Sequence, residues 1–109
     1  MTVVTKEQWE KKGVELFGEN QTKWRFVCPR CGKELSIESA RVEFAEHLPM
    51  LREKRFSIEQ ECIGRYVPGV GCNWAAYGLF RGPLIVVDGE QNTASFDFAG
   101  KPFTAEAST

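Results

Sequence analysis

The sequence predicts an α+β domain, on three observations. Two stretches place apolar residues at helical spacing, several short β-prone runs are separated by turn residues, and four cysteines form two pairs far apart in the chain. The 109 residues, 42% hydrophobic and 12% aromatic, suffice for one core and one domain spanning 1–109. No apolar run approaches the roughly 20 residues of a membrane span. The opening MTVVTKEQWE lacks the apolar region of a signal peptide, so a cytoplasmic protein with no membrane association is expected.

Thr5 and Gln8 make a capping-box pattern, and Trp9, Gly13, Leu16 and Phe17 follow at helical spacing until Gly18 offers a stop. A helix over 6–17 is predicted. Trp24, Phe26 and Val27 run β-prone into Cys28, and residues 34–37 resume extended character, which makes 24–37 a tight hairpin with Trp24 as packing. Ile37, Ala40, Phe44 and Leu48 then share one face, opposite Glu38, Arg41, Glu43 and Glu46. This predicts a second helix over 38–48, closed by Pro49. Phe56, Ile58, Gln60 and Cys62 alternate with Ser57, Glu59 and Glu61, the pattern of a strand with a charged outer face. Residues 64–71, with their glycines and Pro68, should loop back, and 84–87 with 93–98 should form a hairpin through 88–92. Residues 1–4 and 104–109 are expected to fray.

Cys28-x2-Cys31 and Cys62-x9-Cys72 supply four soft ligands, the number a structural Zn2+ takes. In Cys28-Pro29-Arg30-Cys31-Gly32, Pro29 stiffens the turn and Gly32 can adopt positive φ, so that backbone N–H groups point at the sulfurs. That is a zinc knuckle. The second pair is spaced more widely than usual and depends on the 64–71 loop. Three other readings exist for these cysteines. Buried free thiols are one, and disulfides, disfavoured without an export signal, are another. The third is a redox dithiol, which needs a helix starting at the motif where Gly32 and a β-prone run stand instead. His47 could replace a cysteine, but its place near a helix end explains it through the helix dipole. No catalytic triad and no phosphate-cradling glycine pattern is present.

Glu61-Cys62-Ile63-Gly64-Arg65, the run from Gly71-Cys72-Asn73-Trp74 through Tyr77-Gly78-Leu79-Phe80-Arg81-Gly82-Pro83, and Phe96-Asp97-Phe98-Ala99-Gly100 resemble small zinc-ribbon-type proteins of bacteriophage and prophage genomes. With Cys28-Pro29-Arg30-Cys31-Gly32 the resemblance touches most of the chain. It implies that the four cysteines act together as ligands and that the gene belongs to a mobile element, and it carries over no catalytic residue.

The formal charge of −1 would become about −3 with four thiolates and one Zn2+, which does not suit a strongly basic nucleic-acid binder. Arg25, Arg30, Lys33 and Arg65 lie close to the cysteines in sequence, where they can offset the negative metal centre. Trp74, Tyr77, Leu79 and Phe80, bracketed by Arg65 and Arg81, read either as core beside the metal or as an interface. Arg52, Lys54 and Arg55 read as a solvated linker or a phosphate contact, and Glu38, Glu43, Glu46, Glu59 and Glu61 as an acidic face. The expectation is a zinc-ribbon-like α+β domain of antiparallel hairpins with two flanking helices and one structural Zn2+ on Cys28, Cys31, Cys62 and Cys72. Its expected function is non-enzymatic protein binding as an accessory factor that engages host machinery or defence, with no small-molecule substrate. The candidate partner surface is Trp74, Tyr77, Phe80, Arg81, Arg30, Lys33 and Arg65. A nucleic-acid-binding ribbon is the alternative, and a thiol–disulfide oxidoreductase a further one.

Overall fold

Helix α1, Lys6–Phe17, forms as its capping signals dictate: Thr5 accepts from the Gln8 backbone at 3.1 Å, and the Gln8 side chain accepts from the Thr5 backbone at 2.9 Å. Gly18 closes it, donating to Val14 O at 2.8 Å. The computed structural model describes residues 2–78 and 81–107. Within them the architecture is α+β, with four α-helices rather than two and two three-stranded sheets. No helix among the described residues is long and apolar enough to cross a membrane.

The first sheet joins β1 (Thr2–Thr5), β4 (Leu84–Asp88) and β5 (Gln91–Ser95) in the order β1-β4-β5. β1 runs parallel to β4, from Thr2 opposite Leu84 to Thr5 opposite Val87. Residues 2–4 are thus a sheet edge and not the frayed end expected, because Val4 is buried and the backbone completes a ladder. The second sheet has the order β3-β2-β6, built from β2 (Phe26–Val27), β3 (Glu34–Leu35) and β6 (Asp97–Phe98). The knuckle hairpin stands as predicted, since β2 and β3 are antiparallel neighbours. The hairpin expected from 84–87 and the following run also forms, as antiparallel β4 and β5, but 93–98 is not one strand. It divides at Phe96, whose N–H donates to Glu59 O at 2.7 Å, so β5 pairs with β4 while β6 crosses to β2.

Three further expectations are corrected. Helix α2 covers only Ile37–Glu43, started by a Ser36–Ser39 capping box. A turn at Ala45–His47 then leads into α3, Leu48–Glu53. Pro49 sits in the first turn of α3, where its missing N–H costs nothing, so it starts a helix instead of closing one. The strand expected over 56–62 is a run of turns, because Gln60 and Glu61 both donate to Ser57 O, and only Glu61 makes a bridge, to Ala75. Helix α4, Pro102–Ala107, replaces the frayed end expected over 104–107, while 108 and 109 lie outside the described residues. Buried Asp97 holds it: its carboxylate accepts from Phe103 N at 3.2 Å, Thr104 N at 2.8 Å and Thr104 Oγ1 at 2.9 Å, an anion at a helix N-terminus.

The centre of the core is aromatic. Phe98 is fully buried, with ring centroids of Phe26, Trp9 and Trp24 at 5.2, 5.5 and 5.7 Å. Such offset and edge contacts add to what burial alone contributes. Trp24 is core as expected, and its indole N–H donates to Gly18 O at 2.8 Å. Its ring lies against α1 at Gly13, where a Cβ would stand 2.7 Å from three ring carbons. Alanine in a helix interior normally stabilises by about 1 kcal/mol over glycine. Here the sign reverses: Gly13→Ala should destabilise by about 1–3 kcal/mol through overpacking, read as a lower urea midpoint, and a higher midpoint would contradict this packing.

Candidate metal centre

Two backbone devices bring the sulfurs together. In the first, the 28–32 turn closes through Gly32 N to Cys28 O at 2.9 Å and Cys28 N to Lys33 O at 3.0 Å, and Gly32 takes the predicted positive φ of 80°. Backbone N–H groups of Arg30 and Cys31 point at the Cys28 sulfur, and that of Lys33 at Cys31. In the second, residues 60–62 and 74–76 pair through Cys62 N to Trp74 O at 3.0 Å and Ala76 N to Gln60 O at 2.7 Å. Gly64 and Cys72 N–H groups reach the Cys62 sulfur, the latter at 3.4 Å.

This close approach requires glycine at two positions. A Cβ on Gly64 would fall 2.5 Å from the Cys72 backbone, and one on Gly71 would fall 2.8 Å from the Cys62 sulfur. The nine residues between Cys62 and Cys72 therefore return as a tight loop.

The four sulfurs of Cys28, Cys31, Cys62 and Cys72 all lie within 4.8 Å of one another, a group that could hold a metal ion. The short distances join the two halves, 3.5 Å between Cys28 and Cys72 and 3.6 Å between Cys31 and Cys62. Both exceed the roughly 2.05 Å of a disulfide, and all four cysteines are free. Cys28 and Cys62 are buried, Cys72 half-buried and Cys31 exposed. Burial pushes the Cys28 thiol up to about 12 and raises Cys62, against the opposing backbone N–H groups. For Cys31 burial also raises, but the Lys33 N–H and the neighbouring cysteines outweigh it and hold the thiol below its ordinary value.

Most of the nearby cations are already engaged. Arg30 Nη1 donates to Asn73 Oδ1 at 3.1 Å and Arg65 Nη1 to Asn73 O at 2.6 Å, so both brace the residue after Cys72. Lys33 pairs with Glu43 at 3.0 Å, Arg25 with Glu34 at 3.7 Å, and Arg81 donates to Asn92 O at 3.2 Å. Trp74 is half-buried against Phe96, with centroids 5.9 Å apart, while Tyr77 is 48% exposed. Leu79 and Phe80 lie outside the described residues. His47 is half-buried in the turn before α3, its ring edge-on to Phe44, and does not join the cysteine group.

Sequence reasoning placed Glu61 on an outer acidic face, and this is corrected: it is buried at 5% exposure, directly before Cys62. Its Oε2 accepts from Tyr66 and Tyr77 hydroxyls and pairs with Arg65 Nε at 3.5 Å, while Oε1 accepts from Ser57 N at 3.0 Å. Burial alone would raise this carboxyl, but those donors together outweigh it and hold it below the usual carboxylate value. Tyrosines sixteen and five residues from the acid in sequence gave no local signal of this network.

Fold and site together define a small α+β domain organised around a four-cysteine cluster that could hold a metal ion, an arrangement compatible with a zinc-ribbon-like fold. The chain belongs to the VVA0879-like family, whose model matches residues 5–99, all four cysteines and Glu61 included. Comparisons with curated proteins and with solved structures give no match.

Two substitutions test this construction. Gly64→Ala should weaken metal binding at least about tenfold, followed as thiolate-to-Co2+ absorption in a titration of the reduced protein, and an unchanged titration would contradict the close approach. Glu61→Gln should cost about 1.5–3 kcal/mol at neutral pH, since hydrogen bonds to a charged acceptor are lost. The folded carboxyl titrates below its ordinary 4.5, so this contribution is full above that value and disappears as pH falls through the lower folded value. The gap between wild type and Glu61→Gln in denaturant unfolding should narrow accordingly, and a gap independent of pH would refute the charge-based account.

Proposed function

We propose that the chain is a non-enzymatic binding module stabilised by one structural Zn2+ and acting through protein–protein contact. The observation that carries this reading is the four-sulfur group closed to within 4.8 Å. Tetrahedral zinc with Zn–S bonds of about 2.3 Å sets sulfur–sulfur edges of about 3.8 Å, so the 3.5 and 3.6 Å edges fit with shifts of a few tenths of an ångström. Soft thiolates select zinc over hard cations. With four protein ligands no coordination position stays open for a substrate, which supports a structural role and argues against metal catalysis. A thiol–disulfide oxidoreductase fits less well. Such an enzyme lowers the pKa of its first cysteine at a helix N-terminus, whereas here Cys28 is pushed up to about 12 and the chain after Cys31 runs into β3.

Protein is favoured over nucleic acid as the partner. Lys33 and Arg65, which a phosphate backbone would need, are paired with Glu43 and Glu61. Exposed Tyr77, beside the second cysteine pair, offers an aromatic anchor of the kind interfaces use. The resemblance to phage and prophage proteins points to an accessory factor inside a bacterial host, acting on a host or phage protein.

Native mass spectrometry of freshly purified protein should give one zinc per chain, with a chelator causing unfolding, and a metal-free folded protein would refute the structural role. Metal binding requires deprotonated thiols, so acidification should release zinc and lower stability, with steeper loss in Cys62→Ser. Tyr77→Ala should keep one zinc per chain, lower stability by losing its hydroxyl bond to Glu61, and abolish recovery of a defined partner from host lysate, whereas Tyr77→Phe, which keeps the exposed ring, should retain that partner. Nucleic-acid affinity that falls steeply with salt and weakens in Arg30→Gln would favour the alternative ribbon.

A further inference from the structure

A groove of about 500 Å3 lies between α2, α3 and residues 55–59, away from the cysteines. Its floor is apolar, with Ile37, Leu48, Leu51 and Phe56 among the lining residues. Three arginines line it as well: Arg41 on α2, Arg52 on α3 and Arg55 just beyond. Glu59 is the one acid in the lining, which leaves the groove with a local excess of positive charge. None of these arginines has an ion pair or side-chain hydrogen bond among the described residues, in contrast to Arg25, Arg30, Arg65 and Arg81.

Arg55 is placed by a backbone conformation that its side chain makes costly. Helix α3 ends with Phe56 N donating to Leu51 O at 2.9 Å and Arg55 N to Arg52 O at 3.1 Å, the two bonds of a Schellman close. The residue at the left-handed position of that motif is usually glycine, yet Arg55 occupies it at φ 56°. An arginine there lines the groove at a position where glycine would hold the turn with less strain.

We propose that this groove is a binding site for a small organic anion with an apolar body, the body on Leu48 and Phe56 and the anionic head on Arg41, Arg52 and Arg55. The volume falls in the roughly 300–1,000 Å3 range of ligand sites, and guanidinium forks match carboxylate, sulfonate and phosphate heads. The inference stands apart from the zinc centre and from any protein partner.

The probe is 8-anilinonaphthalene-1-sulfonate, titrated by fluorescence into the zinc-loaded, folded protein. Saturable binding of one probe per chain is expected, weakened at least tenfold in the Arg52→Gln/Arg55→Gln double variant and displaced by decyl phosphate. Inorganic phosphate at the same concentration should not displace it. Arg55→Gly should raise the thermal midpoint while lowering probe affinity, a combination that a purely structural arginine would not produce. Absence of saturable binding, equal affinity for uncharged N-phenyl-1-naphthylamine, or unchanged affinity in both arginine variants would each overturn the proposal. Displacement by a single-stranded oligonucleotide at lower concentrations than decyl phosphate would assign the arginines to nucleic acid and overturn it too.

Discussion

Gathering four ionisable thiols within 4.8 Å creates a tension that the rest of the chain is arranged to manage. As thiolates they repel one another in a site that is half out of water, and burial holds Cys28 protonated to about 12 without a counter-charge. A divalent cation held by the four sulfurs would resolve the repulsion. The surrounding backbone is prepared for that charge, since N–H groups of Arg30, Cys31, Lys33, Gly64 and Cys72 all point at sulfur. Cys28 and Cys62 also belong to the apolar core with Phe26, Leu35 and Phe96, so the cluster and the core share a wall.

Most capping and turn signals were read well, and the pairing of distant strands was not. The capping box at Thr5 and Gln8, the stop at Gly18 and the knuckle around Gly32 act within a few residues, and each appears where the sequence put it. The parallel partnership of β1 with β4 leaves no mark near residue 2, because the partner strand lies at the far end of the chain. Period-two alternation over 56–62 misled for a different reason: buried Ile58 and Cys62 face the core from successive turns, a spacing that imitates a strand. Pro49 was ambiguous in principle, since the same missing N–H ends one helix and suits the first turn of the next.

At the site, the gathering of the four cysteines was legible and the network that supports it was not. The cysteines declared themselves by type and number, even with nine residues inside the second pair, because Gly64 and Gly71 were present to allow the return. The basic residues near them were expected to offset the charge of the centre, but Arg30 and Arg65 engage Asn73, and Arg65 also Glu61, while Lys33 pairs with Glu43 and Arg25 with Glu34. Glu61 was hidden by its company. Charged neighbours such as Glu59 made it look solvent-facing, and only the fold brings Tyr66, Tyr77 and Arg65 around it.

The ladder between residues 2–5 and 84–87 has a consequence for biosynthesis. An emerging polypeptide presents β1 to the ribosome exit long before its partner exists, so the first sheet must wait until most of the chain has been translated. The knuckle at 28–35 is complete much earlier, and its β2–β3 pairing can form while synthesis continues. The local β2–β3 pairing can therefore precede the closure of the first sheet.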